Sequence, residues 1–200
     1  MILFLDSQKV KIMKNPTIYK NILEEPLFEY LKKYNTYHKN NKTNWSKPFQ
    51  RLEGAGAEFH KKLHWYLLPL ARNHFESNTL IPTFNFFSWY EETGALSQHY
   101  DSTACTYAID LCVSQLSPWD LFVDGIPYTL QENDALFLYG EDQLHWREEI
   151  PKIPGYYLNN HFFFYAEPDH WYFTEPQENH QAIINSIDKV KNNFNRNIKK

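Results

Sequence analysis

Cysteine is scarce in this chain. Only Cys105 and Cys112 occur among 200 residues, too few for the disulfide framework that staples small secreted domains. Residues seven apart on one strand point to opposite faces, so no local bridge is expected between them. The reading left is two buried free thiols in a reducing compartment. Long apolar runs are missing too. No stretch approaches the ~18–20 residues of a membrane-spanning helix. Residues 1–6 are apolar but short, without the charged start and long apolar middle of a secretory leader. An excess of positive charge is also absent. The net charge is -4, which argues against a general affinity for nucleic acid or anionic membrane. Internal repeats and low-complexity tracts are lacking. These absences together lead us to expect a soluble, cytoplasmic protein.

Aromatic residues are plentiful. They make up 18% of the chain, with 15 Phe, 14 Tyr and 6 Trp, and hydrophobic residues make up 42%. That is ample for one core, and the length suits a single domain over residues 1–200. Apolar spacing divides the domain into three parts. Residues 1–79 read as helical. Ile18, Ile22, Leu23, Leu27, Tyr30, Leu31 and Tyr34 recur at helical spacing across residues 16–40, with Pro26 as an interruption. A polar loop is expected at residues 40–48. Phe59, Leu63, Tyr66, Leu67 and Leu70 mark a second helix over residues 53–75, with Pro69 as a possible bend.

The pattern changes at Leu80. Runs rich in aromatic and β-branched residues predict strands at residues 81–90, 106–115, 118–123, 128–130, 135–138, 143–148 and 157–166. Asp124-Gly125 and Glu132-Asn133-Asp134 are turn signals between them. Short strands separated by turns predict a sandwich or jelly roll over residues 80–166. Residues 167–200 read as an extension ending in a helix, with a stripe of Ile183, Ile184, Ile187, Val190 and Phe194. The fold class expected is α+β with a mainly β core.

The chemistry concentrates in Leu96-Ser97-Gln98-His99-Tyr100-Asp101 and Leu144-His145-Trp146-Arg147. On a strand, His99 and Asp101 project to one side, and so do His145 and Arg147. Two histidines and a carboxylate on a β-scaffold form the facial triad that holds non-haem Fe(II) with positions left open. The competing reading is a hydrogen-bonded His–Asp pair plus an unrelated strand histidine.

The run Tyr90-x-x-x-Gly94-x-Leu96-x-x-His99-x-Asp101, followed by His145-Trp146-Arg147, resembles the 2-oxoglutarate-dependent Fe(II) oxygenases over residues 80–166. The resemblance implies a double-stranded β-helix and the metal ligands His99, Asp101 and His145. It implies Fe(II) as cofactor and 2-oxoglutarate as co-substrate. It also implies an oxygenase using O2 to hydroxylate a small molecule or a peptidyl residue. Related halogenases replace the carboxylate ligand with a small residue, so Asp101 favours hydroxylation or desaturation. One departure from the pattern matters. Many members place an Arg or Lys for the distal carboxylate of 2-oxoglutarate on the next core strand, where this chain reads Pro154-Gly155-Tyr156-Tyr157-Leu158. Arg147 is the nearest guanidinium, and its fork suits a carboxylate. Lys152 is near but falls in an expected loop. Arg147 is the expected co-substrate anchor, against a rim Arg paired with Glu148 or Glu149. Tyr90 is a second contact, against simple core packing.

The other candidates are read blandly. His60 and His64 lie four apart on a predicted helix and are expected on its solvated face. His161 is expected at the edge of the core, and His170 and His180 on the surface. Thr103 shares strand parity with the His-x-Asp pair. Trp89, Trp119 and Trp146 are expected to be structural. The alternative function is a jelly-roll protein that binds a metal or small molecule without turnover. Nucleic-acid dealkylation fits least, given the acidic balance.

Overall fold

The computed structural model describes residues 15–41 and 43–186. Its centre is a pair of long, aromatic-rich strands. β4 (Ile81–Glu91) and β10 (Tyr157–Ala166) pair antiparallel along most of their length. β5 (Tyr107–Gln115) lies on the other side of β10, and β8 (Ala135–Leu138) beyond it. Three short strands complete this sheet. β1 (Thr17–Tyr19) joins β8, while β3 (Arg51–Ala55) and β2 (Thr43–Ser46) continue past β4. The order is β1-β8-β5-β10-β4-β3-β2.

A second sheet holds β7 (Ile126–Tyr128), β6 (Leu121–Val123) and β9 (His145–Trp146). The two sheets do not close into a barrel, because no strand pair joins one to the other among the described residues. The arrangement is a mainly antiparallel jelly roll with added helices, as the strand pattern predicts.

Strand alternation builds two cores. Ile109, Leu111 and Val113 of β5 point outward with Phe137 and Phe163. Helices α1 (Glu25–Lys39) and α2 (Glu58–Phe75) cover that face with Leu31, Leu63 and Leu67. Each such leucine contributes about 1.5–3 kcal/mol through burial. Ala108 and Cys112 of β5 point inward, with Tyr90, Leu121, Val123, Leu158 and Phe164. This explains why β5 is buried on both faces and shows little polar alternation. Both cysteines are buried thiols outside any disulfide. Cys105 nevertheless joins the same core as Cys112, because it lies in the turn before β5, where strand alternation does not apply.

The N-terminal third departs from expectation. Residues 17–19 form a strand, not a helical turn, because β8 offers an unpaired edge. Asn133 secures the segment that follows: its side chain accepts from the Leu23 N–H and donates to the Leu23 carbonyl. Pro26 does not interrupt α1 but lies in its first turn, where its missing N–H costs nothing. The expected loop at residues 40–48 contains β2, and residues 51–55 are β3 rather than the start of α2. Strands of three to five residues carry too little alternation to be recognised without their partners.

Asp124 and Gly125 both adopt positive φ and join β6 to β7 by a two-residue turn, as their chemistry predicts. Pairing therefore resumes at Ile126, so β7 is residues 126–128 rather than 128–130. At the other end, helical turns run over residues 180–186. Ile187, Val190 and Phe194 of the expected stripe lie outside the described residues.

His60 and His64 overturn the reading of a solvated face. Both are buried between α2 and the sheet. The His60 Nδ1 accepts from the Ala57 N–H, so its Nε2 carries the hydrogen and donates to Asn35. Asn35 in turn donates to Asn159 of β10. His161, expected at the core edge, is fully buried, with its ring stacked on Phe163 and 4.4 Å from that of His60. Burial lowers all three side chains; His60 and His64 fall to about 3, and His161 lies well below its ordinary value.

A pH prediction follows from the sign. The folded protein binds fewer protons here than the unfolded chain, whose histidines titrate near 6.5. Stability is fully present above that pH and falls as pH drops from 6.5 toward 3. The slope is about 1.4 kcal/mol per pH unit for each histidine. His145, raised by Asp101, works in the opposite sense, but it is one group against these three and His170, which burial also lowers. Urea midpoints measured between pH 7.5 and 5 should drop steeply, and constant midpoints would refute this account.

Candidate metal centre and its pocket

His99 and His145 face each other as an isolated antiparallel bridge at the edge of the small sheet. Their backbones exchange both hydrogen bonds, at 3.1 and 3.0 Å. Directly opposed residues share a face, and their imidazoles lie 4.2 Å apart. Asp101 is two residues further on the same side. Its Oδ1 is 3.6 Å from the His99 Nε2 and 3.5 Å from the His145 Nε2.

The tautomers suit a metal. Each Nδ1 faces a carbonyl two residues earlier, Ser97 for His99 and Gln143 for His145, at 2.8 and 2.9 Å. A neutral ring must donate there, which leaves Nε2 with its lone pair toward Asp101. One ligand atom from each residue lies within 4.8 Å of the others. Among the described residues this is the one His/Cys/Asp/Glu group so arranged.

Burial alone would raise the Asp101 carboxyl, but His145 and His99 outweigh it and hold it well below the usual range. Burial would likewise lower His145, and Asp101 outweighs it and raises it. The same field that draws protons to this cluster would favour a dication in their place. The residues present therefore fit a divalent metal bound through two nitrogens and one oxygen.

Gly140 makes room for the carboxylate. A Cβ built there would lie 2.3 Å from the Asp101 Oδ2 and 2.8 Å from the Cys105 carbonyl. The Gly140 carbonyl also accepts from the Asp101 N–H. Gly140→Ala should therefore displace the ligand and weaken metal binding by about 10–100-fold, as loss of a supporting contact does. Chelator competition with Fe(II) or Co(II) would measure this, and wild-type affinity in the variant would contradict it.

The triad opens into a cavity between the sheets. Its walls include Phe86, Phe162, Phe164, Leu138 and Leu121. Arg147 and Tyr90, the expected co-substrate contacts, line the same cavity. Arg147 is buried, contrary to the rim alternative. Its Nη2 lies 3.6 Å from the Asp110 Oδ2, and its Nη1 donates to the Trp119 carbonyl. Tyr90 is fully buried, and burial raises its phenol, so the hydroxyl keeps its proton. Lys152 pairs with Glu149 on the surface and does not line the cavity. Thr103 is also turned elsewhere and accepts from Trp171. His170 and His180 lie half-buried at the surface, as expected, and pack around Trp171 and Tyr172.

Two charged lining residues lie outside the sequence motifs. Asp110 is buried in β5 and accepts from the Asn160 side chain at 2.7 Å. Burial pushes it up to about 6 against the pull of Arg147 and Arg51. A charge inside an otherwise apolar strand was its available signal. Arg51 enters from β3, and nothing local announced it.

No family model and no curated protein sequence matches the chain. Solved structures do. The chain is similar to a prolyl-4-hydroxylase from Pseudomonas putida, at 12% identity and TM-score 0.61 over 76% of this chain and 92% of that one. It is similar to the non-heme alpha ketoglutarate-dependent carbocyclase SnoK from nogalamycin biosynthesis, at 10% identity and TM-score 0.66 over 85% and 86%. HygX from Streptomyces hygroscopicus, solved with nickel, 2-oxoglutarate and hygromycin B, matches at 11% identity and TM-score 0.61 over 78% and 84%. At such identities the likeness establishes the fold. It is a jelly roll like that of these solved structures, and this chain carries a His-Asp-His group in it. No helix among the described residues is long and apolar enough to cross a membrane.

Proposed function

We propose that this protein is an Fe(II)- and 2-oxoglutarate-dependent oxygenase that hydroxylates a small molecule or a peptidyl residue. The observation that carries the reading is the convergence of the His99 Nε2, the His145 Nε2 and the Asp101 Oδ1 in the wall of a cavity between the sheets. When bound, iron would supply activation of O2 coupled to oxidative decarboxylation of 2-oxoglutarate to succinate and CO2.

The chain's own residues do the rest. His99, Asp101 and His145 supply three ligands and leave the remaining positions for the co-substrate and O2. Arg147 and Tyr90 contact the co-substrate, one as a cation and one as a hydrogen-bond donor. The phenylalanines and leucines keep water from the reacting atoms. Substrate choice rests with the loops and added helices.

Anaerobic titration with Fe(II) and 2-oxoglutarate tests the reading. A weak visible charge-transfer band is expected on binding, and succinate should form when a panel of substrates is tried in air. Metal binding with no consumption of 2-oxoglutarate across the panel would favour a non-catalytic metal or small-molecule-binding protein instead.

A further inference from the structure

Arg51 belongs to a hairpin that lies outside the strands carrying the triad. In the large sheet it stands opposite Tyr90, and Tyr90 stands opposite Leu158. These three residues form one row across β3, β4 and β10. Leu158 lies in the segment where the sequence offers no cation. Arg51, two strands along the same row, brings one to the same cavity.

Its setting is built rather than incidental. The side chain is 6% exposed. The guanidinium carbon lies 4.6 Å from the Phe49 ring centre, 5.1 Å from that of Tyr90, 5.4 Å from Phe162 and 5.5 Å from Phe86. Nη1 donates to the Tyr90 hydroxyl. Nε and Nη2 both lie 2.7 Å from one oxygen of Glu53. Phe49 in turn touches His99, with ring centres 5.4 Å apart.

The two arginines differ in how their charge is offset. Arg147 faces Asp110, and both side chains are 4% exposed. Their charges offset each other in the buried wall, where a pair interacts strongly. The partner of Arg51 is Glu53, whose side chain is 32% exposed and which does not line the cavity. Water screens that carboxylate. Of the two arginines in the wall, Arg51 is therefore the one not paired with a lining carboxylate.

The geometry points to Arg51, braced by Tyr90, as a second cation beside Arg147 for the distal carboxylate of the co-substrate, and as the one of the two that Asp110 does not offset. This rests on the 2-oxoglutarate reading above. It makes the β2–β3 hairpin part of the co-substrate site, although it lies outside the strands of the triad.

Binding to anaerobic, Fe(II)-loaded protein tests it, with 2-oxoglutarate and 2-oxopentanoate as paired probes. The second probe keeps the 2-oxo acid and the chain length but lacks the distal carboxylate. Arg51→Gln should weaken 2-oxoglutarate about 100-fold, the scale of losing one partner of a buried charge pair. It should change 2-oxopentanoate binding little. Arg51→Lys should recover part of the loss. Adding Asp110→Asn to Arg51→Gln should also recover part, because it releases Arg147 to the ligand. Unchanged 2-oxoglutarate affinity in Arg51→Gln would overturn the assignment, and so would equal loss of both probes, which a merely structural role predicts. If the wild type binds neither probe, the co-substrate reading fails first and this assignment falls with it.

Discussion

Replacing Asp101, His99 or His145 by Ala should abolish tight Fe(II) binding while the fold persists. The loss should exceed the ~100-fold upper range seen for residues that only support a ligand, because a metal–ligand bond itself is removed. The three side chains line a cavity, and two of them contribute little packing. The Asp101 and His99 side chains keep 21% and 22% of their surface exposed. Circular dichroism should therefore remain close to wild type. Chelator competition under anaerobic conditions gives the affinities. Retention of wild-type affinity in all three variants would dismiss the metal centre.

Arg147→Ala should raise the apparent Michaelis constant for 2-oxoglutarate by hundreds-fold. Two effects combine. A cation is lost from the cavity, and the Asp110 carboxylate, 4% exposed, is left facing an incoming dicarboxylate. Breaking a buried pair from one side costs about 3–5 kcal/mol. Part of that should appear as lower thermal stability. Arg147→Lys should rescue only partly, because the planar fork is lost. The double variant Arg147→Ala/Asp110→Asn should regain stability, since no charge is then stranded. Fe(II) affinity should change far less in each case. An unchanged Michaelis constant in Arg147→Ala would remove this residue from the co-substrate site.

The long elements were legible because they carry enough residues to show a period. β4, β5 and β10 are 11, 9 and 10 residues long, and the sequence reading located each within one residue at either end. The Asp124-Gly125 turn was legible for a different reason: few residues tolerate two successive positive φ angles. The triad was readable because its geometry is local. His99 and Asp101 share a face through alternation alone, and Arg147 follows His145 by the same rule.

What stayed hidden depended on partners far along the chain. β1 exists because β8 has a free edge, 116 to 120 residues away. The inward turn of His60 and His64 depends on the sheet beneath α2 and on Asn35 and Asn85. Nothing in the helical spacing distinguishes that face from a solvated one. Arg51 reaches the cavity only through the pairing of β3 with β4.

The amino-acid sequence by itself determined the mainly β core, the two hairpin-scale turns and the residue types of a facial triad, because periodicity and turn chemistry act over a few residues. Tertiary structure alone decided that His99 and His145 lie side by side across a bridge. It decided that Asp110 offsets Arg147, and that a distant hairpin brings a second arginine to the cavity. Those are pairings between segments tens of residues apart. Their energies come from burial and charge in a shared interior, which no local pattern encodes.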